Sequence, residues 1–195
     1  MSVALPRTLV AFAAAVTFAL ATACARAADA PPLSTVGPID ATRYAGAWYE
    51  VARFPNWFQK RCTGDVTAQY ALRDDGRIDV RNTCTREDGR VDVATAIARR
   101  APADGDGSKL EVSFLPAALR WVPFTWGRYW VVDLDADYRW AVVSEPKREY
   151  LWVLSRTPTL PRETWDAIVG RLAANGFATD RLVVTRQGGA PAVAP

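Results

Sequence analysis

From residue 39 onward the chain is a succession of short apolar-periodic runs separated by clusters of turn residues, with no self-similar repeat. Eight runs read as strands, at 46–54, 65–73, 77–85, 91–100, 109–115, 128–134, 139–145 and 150–156. Alternation is clearest at Val66, Ala68, Tyr70 and Leu72, at Ile78 and Val80, and at Leu110, Val112 and Phe114. Every second side chain there is apolar, so one face of each strand is buried. Asp74-Asp75-Gly76, Asp88-Gly89, Asp104-Gly105-Asp106-Gly107, Asp135-Ala136-Asp137 and Glu145-Pro146-Lys147 punctuate the runs. These residues suit tight turns between antiparallel neighbours.

The runs 128–134 and 150–156 are apolar on both faces, as expected where a helix covers the outside of a sheet. A single helical period follows, starting near Thr159 with Pro161 in its first turn and ending at Asn175-Gly176. Trp165, Ile168, Val169, Leu172 and Ala173 form its apolar stripe, so that face packs on the sheet. Eight meandering strands and one terminal helix fit a closed, all-β, up-and-down antiparallel barrel, the size that holds one small ligand. An open β-sandwich has the same periodicity, and pattern alone does not separate the two.

The ends read differently. Residues 9–23 are an apolar run behind Arg7, long enough for an export signal and short for a membrane span. The leader is assigned to 1–27, a Pro- and Ala-rich tether to 28–38, the barrel domain to 39–187 and a disordered tail to 188–195. Ala21-Thr22-Ala23-Cys24 has the form of a lipobox, which makes Cys24 a lipidated first residue, while Ala25-Arg26-Ala27 offers ordinary cleavage. The first reading anchors the protein in the outer membrane, facing the periplasm, and the second leaves it soluble there.

Composition narrows the chemistry. There is no histidine, so the usual general base and commonest metal ligand are missing, and several enzyme classes fall with it. A domain of roughly 165 residues buries enough surface to fold without a metal or other cofactor. The net charge of +3 is too small, and the basic residues too interspersed with acidic ones, for nucleic acid to be a partner. In an exported chain Cys62 and Cys84 are an even pair, which predicts a disulfide. It would stabilise the fold by about 3 kcal/mol.

Three stretches carry a resemblance. Gly46-Ala47-Trp48-Tyr49-Glu50-Val51-Ala52-Arg53 is similar to the G-x-W signature on the first strand of lipocalins. Asp133-Leu134-Asp135-Ala136-Asp137-Tyr138 and Tyr150-Leu151-Trp152-Val153-Leu154-Ser155-Arg156-Thr157-Pro158 resemble that family's second and third signatures. The whole domain resembles the bacterial outer-membrane lipocalins. The resemblance implies the barrel over the sandwich, and it implies that Trp48 and Arg156 pack together at the closed end beside Gly46. It also implies a carrier or store of fatty acids or lysophospholipids, palmitate among them, and leaves room for a homodimer.

In such a barrel the open-end loops are 55–64, 86–90, 116–127 and 146–149. They contain Trp57, Phe58, Trp121, Phe124 and Trp126, together with Lys60, Arg61 and Arg148. An apolar cavity entered past aromatics and ringed by cations suits an amphiphile with a fatty tail and an anionic head. Tyr70, Val80, Val112 and Phe114 are the wall candidates by inward parity. No catalytic residue is assigned: Glu50, the inward carboxylate of the first strand, has no histidine partner. Two further readings stand beside the carrier, an enzyme acting on a lipid and an interaction module using the aromatic loop 121–126.

Overall fold

The structure is a computed structural model that describes residues 31–102, 107–122 and 124–194. The leader, Cys24 and the first part of the tether lie outside the described residues.

Eight strands form the barrel: β1 (Gly46–Arg53), β2 (Cys62–Leu72), β3 (Ile78–Arg86), β4 (Val91–Arg100), β5 (Lys109–Ser113), β6 (Gly127–Leu134), β7 (Trp140–Ser144) and β8 (Leu151–Ser155). Each pairs antiparallel with its sequence neighbour, and β1 also pairs with β8, so the sheet closes on itself. A one-turn helix, α1 (Ala41–Tyr44), leads into β1. It is capped by Asp40, whose carboxylate accepts from the Thr42 and Arg43 amides. The main helix, α2 (Arg162–Ala174), follows β8, with Pro161 at its N-cap and Asn175 at its C-cap.

Two apolar clusters divide along strand parity. Trp48, Ala68, Tyr70, Val80, Ala96, Ala98, Ala141 and Leu154 point into the barrel. Val51, Val142, Leu151 and Val153 point outward and are covered by Ile168 and Leu172 of α2. A register shift between Glu50 and Ala52 separates Glu50, paired with inward Leu154, from outward Val51. Of the expected helix stripe, Ile168 and Leu172 are buried and Ala173 is exposed, because the helix touches the wall through a narrow ridge.

The chain ends depart from expectation. Of the presumed tether, residues 31–38 are laid on the barrel: Leu33 joins the outer cluster, the Val36 amide donates to the Val131 carbonyl, and the Ser108 hydroxyl donates to Thr35 Oγ1. The tail assigned as disordered is structured through Ala194. After β9 (Val183–Val184), which pairs with the last two residues of β1, β10 (Arg186–Gln187) and β11 (Ala190–Pro191) form a hairpin. Ala192 is fully buried, and Leu160 exchanges backbone hydrogen bonds with Ala192 and Ala194.

This ending fills a gap. β1 pairs with β2 only from Gly46 to Tyr49, and beyond that the two strands diverge toward the open end. Gln187 bridges the divergence by donating its side-chain amide to the Glu50 carbonyl on β1 and the Val66 carbonyl on β2, each at 2.9 Å. Gly64 has to be glycine there, since a Cβ would lie 2.8 Å from the Arg186 carbonyl oxygen.

Candidate ligand-binding site

The closed end is built around Trp48, which is fully buried. Its indole N–H donates to the Tyr44 carbonyl at 2.8 Å, and the Arg156 guanidinium lies 3.7 Å from its ring centre. Arg156 donates to the carbonyls of Ala47, Arg43, Tyr44 and Tyr138, tying the end of β8 to the start of β1, α1 and the β6–β7 turn. Gly46 adopts φ +94°, and a Cβ there would touch Arg156 at 3.4 Å, so glycine suits both backbone and space. Gly46, Trp48 and Arg156 thus make one plug at the base.

Above the plug, Tyr70, Val80 and Val112 come together. With Tyr44, Leu110 and Tyr129 they line a cavity of about 20 Å³. The Tyr129 hydroxyl hydrogen-bonds to those of Tyr44 (2.8 Å) and Tyr70 (3.0 Å). Burial pushes the Tyr70 hydroxyl up to about 12, and burial raises Tyr44 and Tyr129 further still. All three are neutral at any physiological pH. Sequence reading missed Tyr44, which sits on a helix too short to show a period, and Tyr129, which lies in a run read as apolar on both faces.

Toward the mouth the wall becomes small. Ala68, Asn82 and Ala94 share one row across β2, β3 and β4, and Ala94, inward by parity with Ala96 and Ala98, is exposed. Solvent therefore reaches the inward face of β4 at Ala94. The side-chain oxygen of Asn82 (Oδ1) is buried without a hydrogen-bond partner among the described residues. The Cys62–Cys84 disulfide crosses from the first residue of β2 to β3, with S–S 2.04 Å. Cys62 was expected in the loop, but β2 begins three residues earlier than its alternation indicated.

Glu50 points into this upper chamber and is buried. It receives hydrogen bonds from Arg53 (2.7 Å), Thr185 (2.6 Å) and Gln59 (2.7 Å). Gln59 in turn accepts from the indole N–H of Trp152 at 2.9 Å. This network pins the β1–β2 loop and the C-terminal segment to the chamber wall. Sequence reading found Glu50 but none of its three partners, which come from its own strand, the β1–β2 loop and the C-terminal segment.

At the rim, Phe58 packs on Tyr150 and Trp152, with Trp57 edge-on to it at 5.5 Å. Trp121 and Phe124 are exposed on the β5–β6 loop, and Phe114, just past β5, is half-exposed. Lys60 and Arg61 are exposed and make no ion pair among the described residues. Two expected rim residues lie elsewhere. Trp126 stacks on Arg99 at 3.9 Å. Arg99 faces outward beside Glu111, because the loop folds down over the outer face of β4 and β5. Arg148 donates to the carbonyls of Asn175 and Pro31 and lies over Phe177, so it serves the end of α2 rather than the mouth.

A closed eight-stranded antiparallel barrel with a plugged base, a chamber open at the other end and one helix on its wall defines the class of cavity barrels that includes the lipocalins. Residues 39–187 match the lipocalin-like domain family, and the chain belongs to it. It is 39% identical to the outer membrane lipoprotein Blc of Citrobacter freundii over 178 residues, 91% of this chain and 96% of that one. It is 37% identical to temperature-induced lipocalin-1 of Arabidopsis thaliana over 160 residues, 82% and 85% of the two chains. Insecticyanin from the tobacco hornworm Manduca sexta superposes with a TM-score of 0.66 at 16% identity, covering 85% of this chain and 91% of that one, a likeness of fold.

Proposed function

We propose that the chain is a non-enzymatic carrier or store of fatty acids or lysophospholipids, palmitate among them, working in the bacterial envelope. The observation that carries this reading is the inner wall: the small inward side chains of Ala68, Ala94, Ala96 and Ala98 line β2–β4 above an apolar base and below an aromatic rim. Burying a long alkyl chain there stabilises the complex by about 0.8 kcal/mol per methylene before association costs, enough for micromolar binding. Lys60 and Arg61, exposed and without an ion pair among the described residues, suit an anionic head at the mouth. Glu50, the inward carboxylate, is spent on Arg53, Thr185 and Gln59, which supports binding over catalysis.

The likeness to outer membrane lipoproteins supports the envelope as the site of action, with Cys24 as the anchor. Native mass spectrometry of protein purified from its own envelope tests the function: one lipid per barrel is expected, and a barrel that neither carries nor takes up a lipid sinks it. Replacing Cys24 by Ser should move the protein from the membrane fraction to the soluble periplasm. If the wild type is already soluble, cleavage after Ala27 is the correct reading. A second reading, docking of the β5–β6 loop on another protein or a second copy, is favoured by Trp121 at 79% and Phe124 at 103% exposure. Sedimentation of wild type against Trp121→Ser/Phe124→Ser measures it.

A further inference from the structure

The hydroxyls at the base do not balance. Tyr44, Tyr70 and Tyr129 bring three O–H donors, and the two hydrogen bonds among them use two. Among the described residues no carbonyl or other side chain accepts the third proton, whichever of the three tyrosines carries it. A buried donor without an acceptor is costly, whereas the same site filled with apolar groups is nearly neutral. Three phenylalanines would pack this base as well as three tyrosines do. The hydroxyls therefore offer a donor beside the cavity that the tyrosines share with Val80, Leu110 and Val112.

We propose that the base of the barrel is a recognition site for a neutral oxygen acceptor at the buried end of the lipid, a hydroxyl, ketone or epoxide at or near the far end of the acyl chain. This rests on the carrier reading and names the class of lipid it favours. The position is right for a chain that enters tail first. Tyr70 pairs with Gly46 at the closed end, eight residues along β2 from Cys62 at the mouth. That is roughly 20 Å of depth once strand tilt is allowed for.

A carboxylate is not what the site takes. The nearest cation, Arg156, lies against Trp48 and gives its N–H groups to backbone carbonyls. A charged head lowered to the tyrosines would be desolvated without a partner charge. The charged end belongs at the mouth, and the uncharged oxygen at the base.

The test compares palmitate with ω-hydroxypalmitate by titration of intrinsic tryptophan fluorescence. Wild type should bind the hydroxy acid at least as tightly as palmitate. In the Tyr44→Phe/Tyr70→Phe/Tyr129→Phe variant the ratio of hydroxy-acid affinity to palmitate affinity should fall by about tenfold. Tyr129→Phe alone should do the opposite. It leaves Tyr44 and Tyr70 facing each other with no oxygen between, and the ligand hydroxyl can take that place, so preference for the hydroxy acid grows. This single variant keeps the test standing if the triple one fails to fold. An unchanged ratio of the two affinities in Tyr129→Phe overturns the proposal while leaving the carrier intact. If wild type binds neither lipid, both readings fall.

Discussion

The guanidinium of Arg156 and the indole of Trp48 meet face to face at 3.7 Å, although 108 positions separate them in the chain. One side of the guanidinium closes the base of the barrel, and its N–H groups hold three neighbouring segments by their carbonyls. Arg156→Ala removes the stacking and those hydrogen bonds, together about 3 kcal/mol. A fall in Tm of roughly 6–12 °C is expected. Lysophospholipid affinity of the folded fraction should stay within about threefold, because the lipid head sits at the other end. Loss of binding without loss of stability would mean the two ends are wrongly assigned.

Charge reversal at Lys60 and Arg61 should weaken anionic lipids relative to zwitterionic ones. The effect should shrink as salt rises, since exposed charges are screened over about 8 Å at physiological ionic strength. Arg148→Glu should leave that selectivity unmoved and lower Tm instead, because Arg148 caps the end of α2. Fluorescence titration with lysophosphatidate and lysophosphatidylcholine at two salt concentrations separates the cases.

Gln187→Ala takes away the amide that joins β1 to β2 and leaves two buried carbonyls short of a donor. A loss of about 2 kcal/mol is expected. Hydrogen exchange locates it: the Thr185 amide, bonded to the Val51 carbonyl, should lose protection before the β6–β7 amides do. Uniform loss across the barrel would show that the segment is not a separate closing element.

Asp135 in the β6–β7 turn receives the Arg139 side chain at 2.8 and 2.9 Å and the Arg139 and Asp137 amides, and these hydrogen bonds hold its carboxyl below the usual range. A lowered folded pKa stabilises the fold above the unfolded value of about 4, and that stability is lost as pH falls through the lowered value. Asp135→Asn should therefore reduce stability at neutral pH and flatten the acid limb of the curve of Tm against pH. An acid limb of unchanged slope in the variant counts against Asp135 as its source.

Much of the barrel was legible because it is written in side-chain pattern. Val66, Ala68 and Tyr70 alternate because one face of β2 is inside, and Ile168 and Leu172 repeat because one ridge of α2 touches the wall. The base was legible only through the family resemblance that Gly46, Trp48 and Arg156 carry. The rest depends on the backbone or on the course of loops. Trp126 reads as a rim aromatic until the loop's descent along β4 and β5 brings it to Arg99. Arg148 has φ +57° and finds carbonyls rather than carboxylates, which no charge pattern announces. The Gly- and Pro-rich ending looks disordered because its hydrogen bonds are made largely by main-chain groups.

The seam sealed by Gln187 also orders events in time. Its two acceptors, on Glu50 and Val66, lie 137 and 121 positions earlier in the chain, so a ribosome makes the latch long after the strands it joins. A nascent chain can pair β2 through β8 by local hairpins, the fast kind of contact, yet it carries an unzipped flank until residues 183–187 are added. Unsealed edge groups on β1 and β2 stay available to a chaperone or a transport machine throughout synthesis. Closure of the wall therefore waits for residues 183–187, whatever the state of the strands before them.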